Sequence, residues 1–318
     1  MKKNTQKPKT LNYINENVAG IDIGHGSIFV SINPRGKESE TRRFGTFTSD
    51  LKDMVEWLKE NNIESAAMES TGVYWIPTYD LLDQAGIVPV LVNAYFFKSL
   101  PGKKTDVKDS EWIQQLHSFG LLRGSFRPNG NEVTLRTYVR QRSNQVRQAS
   151  RQINLIHKVL AQMNIKLNLV ISDVTGETGI NIIKAIIAGE TDPKKLAQFR
   201  NYRCRSTEAE IAKSLEGNFK PELVFSLKQS FEAYNFFMSQ AMTCEENIQE
   251  VLDLWQVKNS DNSVTNNSPK KKKGKNSYSF DATSNLKKML SINITEIPGL
   301  GENLATKIIS EIGTDISK

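Results

Sequence analysis

The chain has 318 residues and a formal net charge of +7, and 38% of its residues are hydrophobic. This length allows two domains and a linker, and the positive charge favours a polyanionic partner, either a nucleic acid or an anionic membrane surface. No apolar run is long enough for a secretory signal or a membrane span, so the sequence predicts a cytoplasmic protein. The two cysteines lack metal-ligand spacing and the three histidines are scattered, which argues against a zinc or haem site.

After a flexible N-terminus at 1–16, the pattern up to residue 125 is three strands followed by alternating helices and strands. In chain order the predicted elements are two strands within 17–33 around the turn Gly24-His25-Gly26, a strand at 41–47, a helix beginning near residue 48, a strand at 65–68, a helix at 74–84 and a strand at 87–92. This order predicts an α/β domain over 17–125 with a mixed sheet, and it matches a ribonuclease H-like fold.

Residues 126–255 predict a helical region with a coiled-coil-like seam. In the helix predicted over 131–166, apolar residues recur every seven positions, with Ala149 and Ile156 beside them. These seam residues are Val139, Val146, Ile153 and Leu160. Further helices are predicted in the stretch INIIKAIIAG and over about 223–255.

The composition changes after residue 255. Residues 256–288 are rich in Asn, Ser and Lys, including the run Lys270–Lys273, and predict a solvated linker. Residues 289–318 predict the beginning of a small helical C-terminal domain. Within it, IPGLG before a helix is similar to the hairpin of a helix-hairpin-helix motif, in which Gly299 and Gly301 would let backbone N–H groups approach a phosphate. An ordinary glycine turn before an amphipathic helix is the alternative.

Four carboxylates support the main functional hypothesis. Asp22 lies inside the first strand, where a charge is costly to bury without a partner, and Glu69 follows the strand at 65–68. Asp106 and Asp109 are three residues apart at a helix start, so they project from one face. If the first strand and the Glu69 strand are neighbours, all four acids can meet at one sheet edge. Mg²⁺ prefers carboxylate oxygens, and two such ions roughly 4 Å apart can hold the attacking and leaving oxygens of a phosphodiester.

Each acid also has a structural explanation when taken alone. Asp106 and Asp109 could favour the helix dipole, and Glu69 could cap a turn. Asp22 has no such role in the middle of a strand. The prediction of a magnesium site therefore depends on the combination of the four residues.

Arginine dominates residues 121–160, where eight basic residues accompany a single acid, Glu132. Four of them fall in one narrow stripe of the predicted helix, away from the apolar seam. They are Arg136, Arg140, Arg147 and Arg151. Because guanidinium groups suit bidentate phosphate contacts, this stripe predicts a nucleic-acid-binding face, without indicating RNA or DNA. A solvated basic face is the alternative.

Several separated motifs resemble those of the DEDD transposases of bacterial insertion sequences, namely the IS110 family and its IS1111-like branch. The motifs are GIDIG, MESTGVYW, PGKKTDVKDSEWI, GLLRGSF, IKLNLVISDVTGETG, IIAGETDP and, after the linker, IPGLGENLATKIISEIG. The resemblance implies a resolvase-like domain in which Asp22, Glu69, Asp106 and Asp109 bind magnesium. It also implies a homo-oligomeric recombinase that is directed by a guide non-coding RNA and catalyses DNA strand cleavage and exchange.

The sequence departs from the family pattern in one respect. The nucleophilic serine of the family follows the IPGLG motif, and neither Ser310 nor Ser317 matches its context, so we expect the chain to be truncated before that serine. Three alternatives stay open: a catalytically inactive nucleic-acid-binding remnant, a stand-alone resolvase, and an actin-like ATPase or kinase. The last is suggested by GIDIGHGSI, which also resembles a phosphate loop, although the sequence shows no second phosphate loop and no adenosine motif.

Overall fold

The structure, a computed structural model, describes residues 13–33, 38–70, 72–93, 106–128, 130–257, 274 and 276–314. It divides the chain into an N-terminal unit, Met1–Arg127, and a helical unit, Pro128–Lys318. Among the described residues, no helix combines the length and the apolar character needed to cross a bilayer.

The N-terminal unit contains one mixed sheet of five strands. The strands are β1 (Val18–Ile23), β2 (Ile28–Asn33), β3 (Glu40–Phe44), β4 (Ser65–Glu69) and β5 (Val88–Val92). Their order is β3-β2-β1-β4-β5. The first three strands pair antiparallel, whereas β1 with β4 and β4 with β5 pair parallel. The predicted turn between β1 and β2 is closed by the N–H of Gly24, which donates to the carbonyl of Ser27 at 2.9 Å.

Helices cover both faces of this sheet. The helices α1 (Thr48–Glu60) and α2 (Trp75–Gln84) pack on the face that carries Ile21, Val30 and Met68. The helix α3 (Asp106–Ser118) lies on the opposite face, where its Ile113 packs against Ala67. Together with the helices that follow, this sheet confirms the predicted fold class, an α/β ribonuclease H-like domain followed by a helical region.

The helical unit is organised around two long helices. In chain order its elements are α4 (Asn131–Gln162), α5 (Leu167–Val170), α6 (Glu177–Ile187), α7 (Pro193–Ala197), α8 (Glu208–Ser214), α9 (Pro221–Val257), α10 (Ala282–Leu290), a 3-10 turn (Ile294–Glu296) and α11 (Glu302–Ile312). The start of α4 packs on the end of α9, since Leu135 clusters with Leu252. The end of α4 packs on the start of α9, since Leu160 clusters with Leu227. The two helices are therefore antiparallel.

The seam predicted for α4 is present and has a counterpart on α9. The α4 seam alternates steps of four and three residues through Leu135, Val139, Arg142, Val146, Ala149, Ile153, Ile156 and Leu160. The α9 seam does the same through Leu227, Phe231, Tyr234, Met238, Ala241, Glu245, Ile248, Leu252 and Trp255. This spacing keeps one face of each helix toward its partner, as in a coiled coil.

The C-terminal segment folds back onto the end of the helix pair where α4 begins. Tyr278, Leu286 and Ile309 share one buried cluster with Leu135 of α4 and Ile248 of α9. Tyr278 and all but the last two residues of α10 fall within the stretch 256–288, so the C-terminal part of the stretch whose composition predicts a linker is folded. The run Lys270–Lys273 lies outside the described residues.

Candidate active site and binding surfaces

Asp22 and Glu69 occupy matching positions on adjacent parallel strands. Ile21 of β1 pairs with Met68 of β4, and the two acids are the next residues in each strand. Because side chains alternate between the faces of a sheet, both acids fall on the face opposite to Ile21 and Met68, which is the face covered by α3. Both side chains are half-buried. The structure therefore brings these two acids to the same edge and the same face of the sheet.

The helix α3 runs antiparallel to β1 and β4, so its first turn reaches that edge. Ser110 Oγ lies 2.8 Å from Ser31 Oγ, and Ser31 is the β2 residue opposite Gly20. At the other end of α3, His117 Nε2 lies 2.8 Å from the Oγ of Ser65, the first residue of β4.

Distances along the two elements agree with this direction. From Gly20, Asp22 is two residues farther along β1, which is about 7 Å. From Ser110, Asp106 is four residues toward the start of α3, which is about 6 Å along the helix axis. The backbone of Asp106 thus lies at the level of the strand ends, and the side chain of Asp106 lies outside the described part of the chain.

Asp109 lies one turn before Ile113 on the same face of α3. Ile113 packs against Ala67 of β4 and Val92 of β5, so Asp109 belongs to the row that runs toward the ends of these strands. Its side chain is half-buried. The first turn of α3 therefore lies toward the strand ends that carry Asp22 and Glu69.

The backbone of α3 lies directly on β1 because residue 20 is a glycine. A Cβ atom at Gly20 would lie 2.2 Å from the backbone nitrogen of Gln114 and 2.3 Å from the carbonyl oxygen of Ser110. Such distances are far below van der Waals contact, so a side chain here would push the helix off the sheet. Gly20 thereby sets the distance between α3 and the sheet, and with it the position of the first turn of α3 relative to Asp22 and Glu69.

The donor chemistry of this edge suits a hard divalent cation, since carboxylate oxygens are the ligands that Mg²⁺ prefers. Asp22, Glu69 and Asp109 each take part in a polar interaction within the chain. Among the side chains that the structure describes, no group of three or more His, Cys, Asp or Glu residues is arranged as a metal site.

The predicted arginine stripe divides into two parts. Arg136 donates through Nε and Nη2 to the carbonyl oxygens of Ser310 and Glu311, at 3.2 and 2.5 Å. Arg140 forms a bidentate pair with the Glu311 carboxylate at 2.8 and 2.7 Å. These two arginines hold the last turn of α11, whereas Arg147 and Arg151 are exposed.

The contact with Arg140 and Arg136 also changes the acidity of Glu311. The hydrogen bond from Arg140 lowers the pKa of Glu311, with the charges of Arg136 and Arg140 contributing in the same direction. Because the guanidinium groups neutralise the α11 carboxylate, this half of the stripe has less positive charge to offer a phosphate backbone.

The IPGLG segment forms a tight turn between α10 and α11. The N–H of Leu300 donates to the carbonyl of Ile297 at 3.0 Å, and Gly299 has a φ of +85°, which suits the third position of a type II turn. Gly301 is the N-cap residue of α11 and provides no side-chain cap. The space around the Cα atoms of both glycines is open, which leaves the backbone accessible to a partner.

One buried cluster has no counterpart in the sequence hypotheses. Arg142 pairs with Glu245 at 2.7 Å, and each side chain is only 7% exposed. The guanidinium also donates to the carbonyl of Asn276 at 2.8 Å and lies 4.1 Å from the ring centroid of Tyr278. The heptad spacing could have indicated that Arg142 is buried, because Arg142 falls on the apolar seam between Val139 and Val146.

Comparison with known protein families finds a match to a transposase family. The family model of the IS110-type DEDD transposases, described as Transposase, matches residues 19–165. The matched region begins in β1, includes the whole sheet with α3, and continues to the end of α4. No curated protein matches the chain. The match covers a little under half of the chain, and it supports the assignment of residues 19–165 to a DEDD transposase of the IS110 family.

Proposed function

We propose that this chain is a transposase that binds DNA and cleaves its strands at the carboxyl ends of β1 and β4, using Mg²⁺ held by Asp22, Glu69, Asp106 and Asp109. The parallel pairing of β1 with β4 is the observation that supports the proposal most directly, because it gives Asp22 and Glu69 one edge and one face. The antiparallel course of α3 supports the inclusion of the other two acids.

The four acids would act as a set of cation ligands. Carboxylates crowded at one edge repel each other, so their ionised forms need a positive partner. When bound, Mg²⁺ would stabilise charge on the phosphodiester oxygens and favour attack at phosphorus. The contribution of the protein is to hold the ligands on a sheet edge and a helix start that are fixed by the Gly20 contact.

The wider activity of the family forms the second part of the proposal. We propose that strand cleavage leads to strand exchange, that a guide non-coding RNA and homo-oligomerisation take part, and that exposed arginines of α4 contact phosphates. Arg147 and Arg151 are the best candidates on this helix because Arg136 and Arg140 are engaged by α11. The IPGLG hairpin, through the backbone at Gly299 and Gly301, is a further candidate for a phosphate contact.

The experiment combines the full chain, Mg²⁺, the non-coding RNA encoded beside it and matching DNA, with strand cleavage followed on denaturing gels. Asp22→Asn and Asp106→Asn remove one charge each and keep the side-chain size. Asp53→Asn is the matched control, because Asp53 is an exposed acid on α1 at the opposite face of the sheet. Metal binding is measured separately by calorimetry with Mg²⁺ and without nucleic acid.

We expect both site variants to lose cleavage and to bind Mg²⁺ more weakly, while Asp53→Asn behaves as the parent chain. If both variants bind metal and process DNA as well as the parent, the assignment of the acids is wrong. DNA binding without cleavage under any divalent metal would favour a binding remnant instead. Cleavage of four-way junctions without RNA would favour a resolvase.

A further inference from the structure

A loop in the helical unit combines positive charge with an exposed aromatic ring. Residues 199–206, which we call the arginine-tyrosine loop, connect α7 to α8 and have the sequence FRNYRCRS. The loop contains three arginines and no acidic residue. Tyr202 is 76% exposed, and Arg203 and Arg205 are exposed on either side of Cys204.

The backbone of this loop is held from within by Arg200. Its Nε donates to the carbonyl of Ser206 and its Nη2 donates to the carbonyl of Cys204, both at 2.6 Å. The N–H of Cys204 in turn donates to the carbonyl of Asn201 at 2.9 Å. One half-buried guanidinium therefore fixes the chain on both sides of the exposed residues.

The loop is also attached to the helices behind it. The backbone N–H of Asn201 donates to Thr178 Oγ1 at 3.0 Å, and Ser206 Oγ donates to the carbonyl of Val170 at 2.7 Å. Glu210, an acid that follows the loop, is engaged by the N–H and the hydroxyl of Thr207 at the start of α8. The tip is consequently presented on a fixed support, which lowers the entropy lost when a ligand binds.

The chemistry of the tip matches an unpaired nucleotide. The Arg203 guanidinium lies 5.2 Å from the ring centroid of Tyr202, and its Nε donates to the Tyr202 hydroxyl at 2.8 Å. An exposed ring can stack on any nucleobase, and guanidinium groups beside it can contact the flanking phosphates. In a double helix the base faces are already stacked on each other, so this arrangement favours a single strand.

We propose that the arginine-tyrosine loop binds single-stranded nucleic acid, with Tyr202 stacked on an unpaired base and with Arg203 and Arg205 contacting phosphates. The proposal rests on the proposed function, in which the chain binds nucleic acid, and adds a specific contact for an unpaired strand. The loop lies outside the family match at 19–165, so that match does not assign it a role.

The test measures binding of the full chain by fluorescence anisotropy to three labelled probes: a 20-nucleotide oligo-dT, the corresponding oligo-U and a DNA duplex of equal length. We expect Tyr202→Ala to weaken binding to the single strands by at least about fivefold, the lower end of the effect of removing one stacking ring. Tyr202→Phe keeps the ring and should bind within about twofold of the parent, a bound well below that stacking effect.

The contribution of the two arginines is tested through the salt dependence of binding. The double variant Arg203→Ala and Arg205→Ala should reduce the slope of log K against log salt by about 1.4, since each phosphate contact to a single strand contributes about 0.7. Phe225→Ala is the control, because Phe225 is 63% exposed on α9 of the same unit. Circular dichroism of each variant verifies that the helical content is unchanged.

The outcomes separate this proposal from the proposed function. If the parent chain binds nucleic acid and Tyr202→Ala binds the single strands equally well, the loop proposal is wrong while the proposed function stands. If the parent chain binds none of the probes, the loop proposal is wrong, whereas the proposed function is decided separately by the cleavage assay with guide RNA, matching DNA and Mg²⁺. Binding to phosphatidylglycerol vesicles that depends on Tyr202, without binding to any oligonucleotide, would assign the loop to a membrane surface and overturn the proposal. The preference between oligo-dT and oligo-U identifies DNA or RNA as the partner.

Discussion

Arg142 donates from Nε to Glu245 Oε1 at 2.7 Å, in the interior of the helical unit. The two residues occupy seam positions on antiparallel helices, so each replaces an apolar residue of the coiled-coil-like core. The second carboxylate oxygen of Glu245 accepts the N–H of Ser279 at 2.7 Å, and the guanidinium lies over Tyr278. One buried ion pair therefore joins α4, α9 and the segment that leads into α10.

We predict that Arg142→Met destabilises the helical unit by about 3–5 kcal/mol, because it leaves the Glu245 carboxylate buried without its partner. The double variant with Glu245→Leu should recover most of this loss, since it removes both charges and keeps apolar volume. Urea unfolding of the parent, both single variants and the double variant measures the coupling. Additive losses in the double variant would mean that the two residues act independently.

Gly20→Ala should destabilise the N-terminal unit and reduce DNA cleavage. The new Cβ would lie 2.2 Å from the backbone nitrogen of Gln114, so α3 must shift together with its acids. Gly26→Ala is the matched control, because nothing lies within 4 Å of its Cβ position and its φ does not lie in the left-handed region. We expect Gly20→Ala to lower the free energy of unfolding by roughly 1–3 kcal/mol, the usual range for overpacking. Gly26→Ala should change it by no more than about 0.5 kcal/mol, as for ordinary surface substitutions. Equal unfolding midpoints for the two variants would contradict the proposed contact.

His117 should make the stability of the N-terminal unit depend on pH. Burial lowers the pKa of His117 below its ordinary value of 6.5, so the unfolded chain binds a proton more readily than the folded chain. Its contribution is therefore fully present above about pH 6.5 and is lost as the pH falls from there toward the folded pKa. The expected result is that His117→Gln shows a smaller loss of stability than the parent between pH 7.5 and pH 5.5 in urea unfolding. A difference between the two proteins that stays constant with pH would refute this assignment.

Arg140→Ala should raise the pKa of Glu311 toward its ordinary value, because the hydrogen bond from Arg140 is the main cause of the lowering. The stabilisation from this pair is present above the ordinary pKa of a glutamate and is lost as the pH falls through the lowered value. Since the Arg140 side chain is 63% exposed, we expect the pair to contribute less than about 1 kcal/mol. Carbon-13 NMR titration of the Glu311 carboxyl measures the shift, and Arg147→Ala, which alters an exposed arginine of the same helix, should leave it unchanged.

Local sequence patterns predicted individual helices and strands well, because the residues that determine each element lie within that element. The strand predicted at 65–68 is β4, and the helix predicted over 131–166 is α4, which ends at Gln162. The earlier end has a local cause, since Asn164 adopts a left-handed φ of +58°. The third strand also ends earlier than predicted, because Asp50 accepts the N–H of Phe47 and draws that residue into the start of α1.

Contacts between distant segments could not be predicted in this way. Arg136 and Arg147 have the same charge and share one stripe, yet only Arg136 holds the end of α11, which is more than 170 residues away in the chain. Tyr278 lies in a polar stretch whose composition indicates a linker, and the helices that bury it lie elsewhere in the sequence. The hypothesis that the four acids lie together required β1 and β4 to be adjacent strands. The sequence does not show this adjacency, whereas the strand order of the sheet does.

The paired seams of α4 and α9 restrict how the length of the helical unit can change. Arg142 is tied to Glu245 near one end of the pair, and Leu160 packs with Leu227 near the other. A single inserted residue between Arg142 and Leu160 would rotate one end by about 100° relative to the other, so one of these contacts must be lost. We therefore expect tolerated insertions to be multiples of seven residues that occur in both helices together.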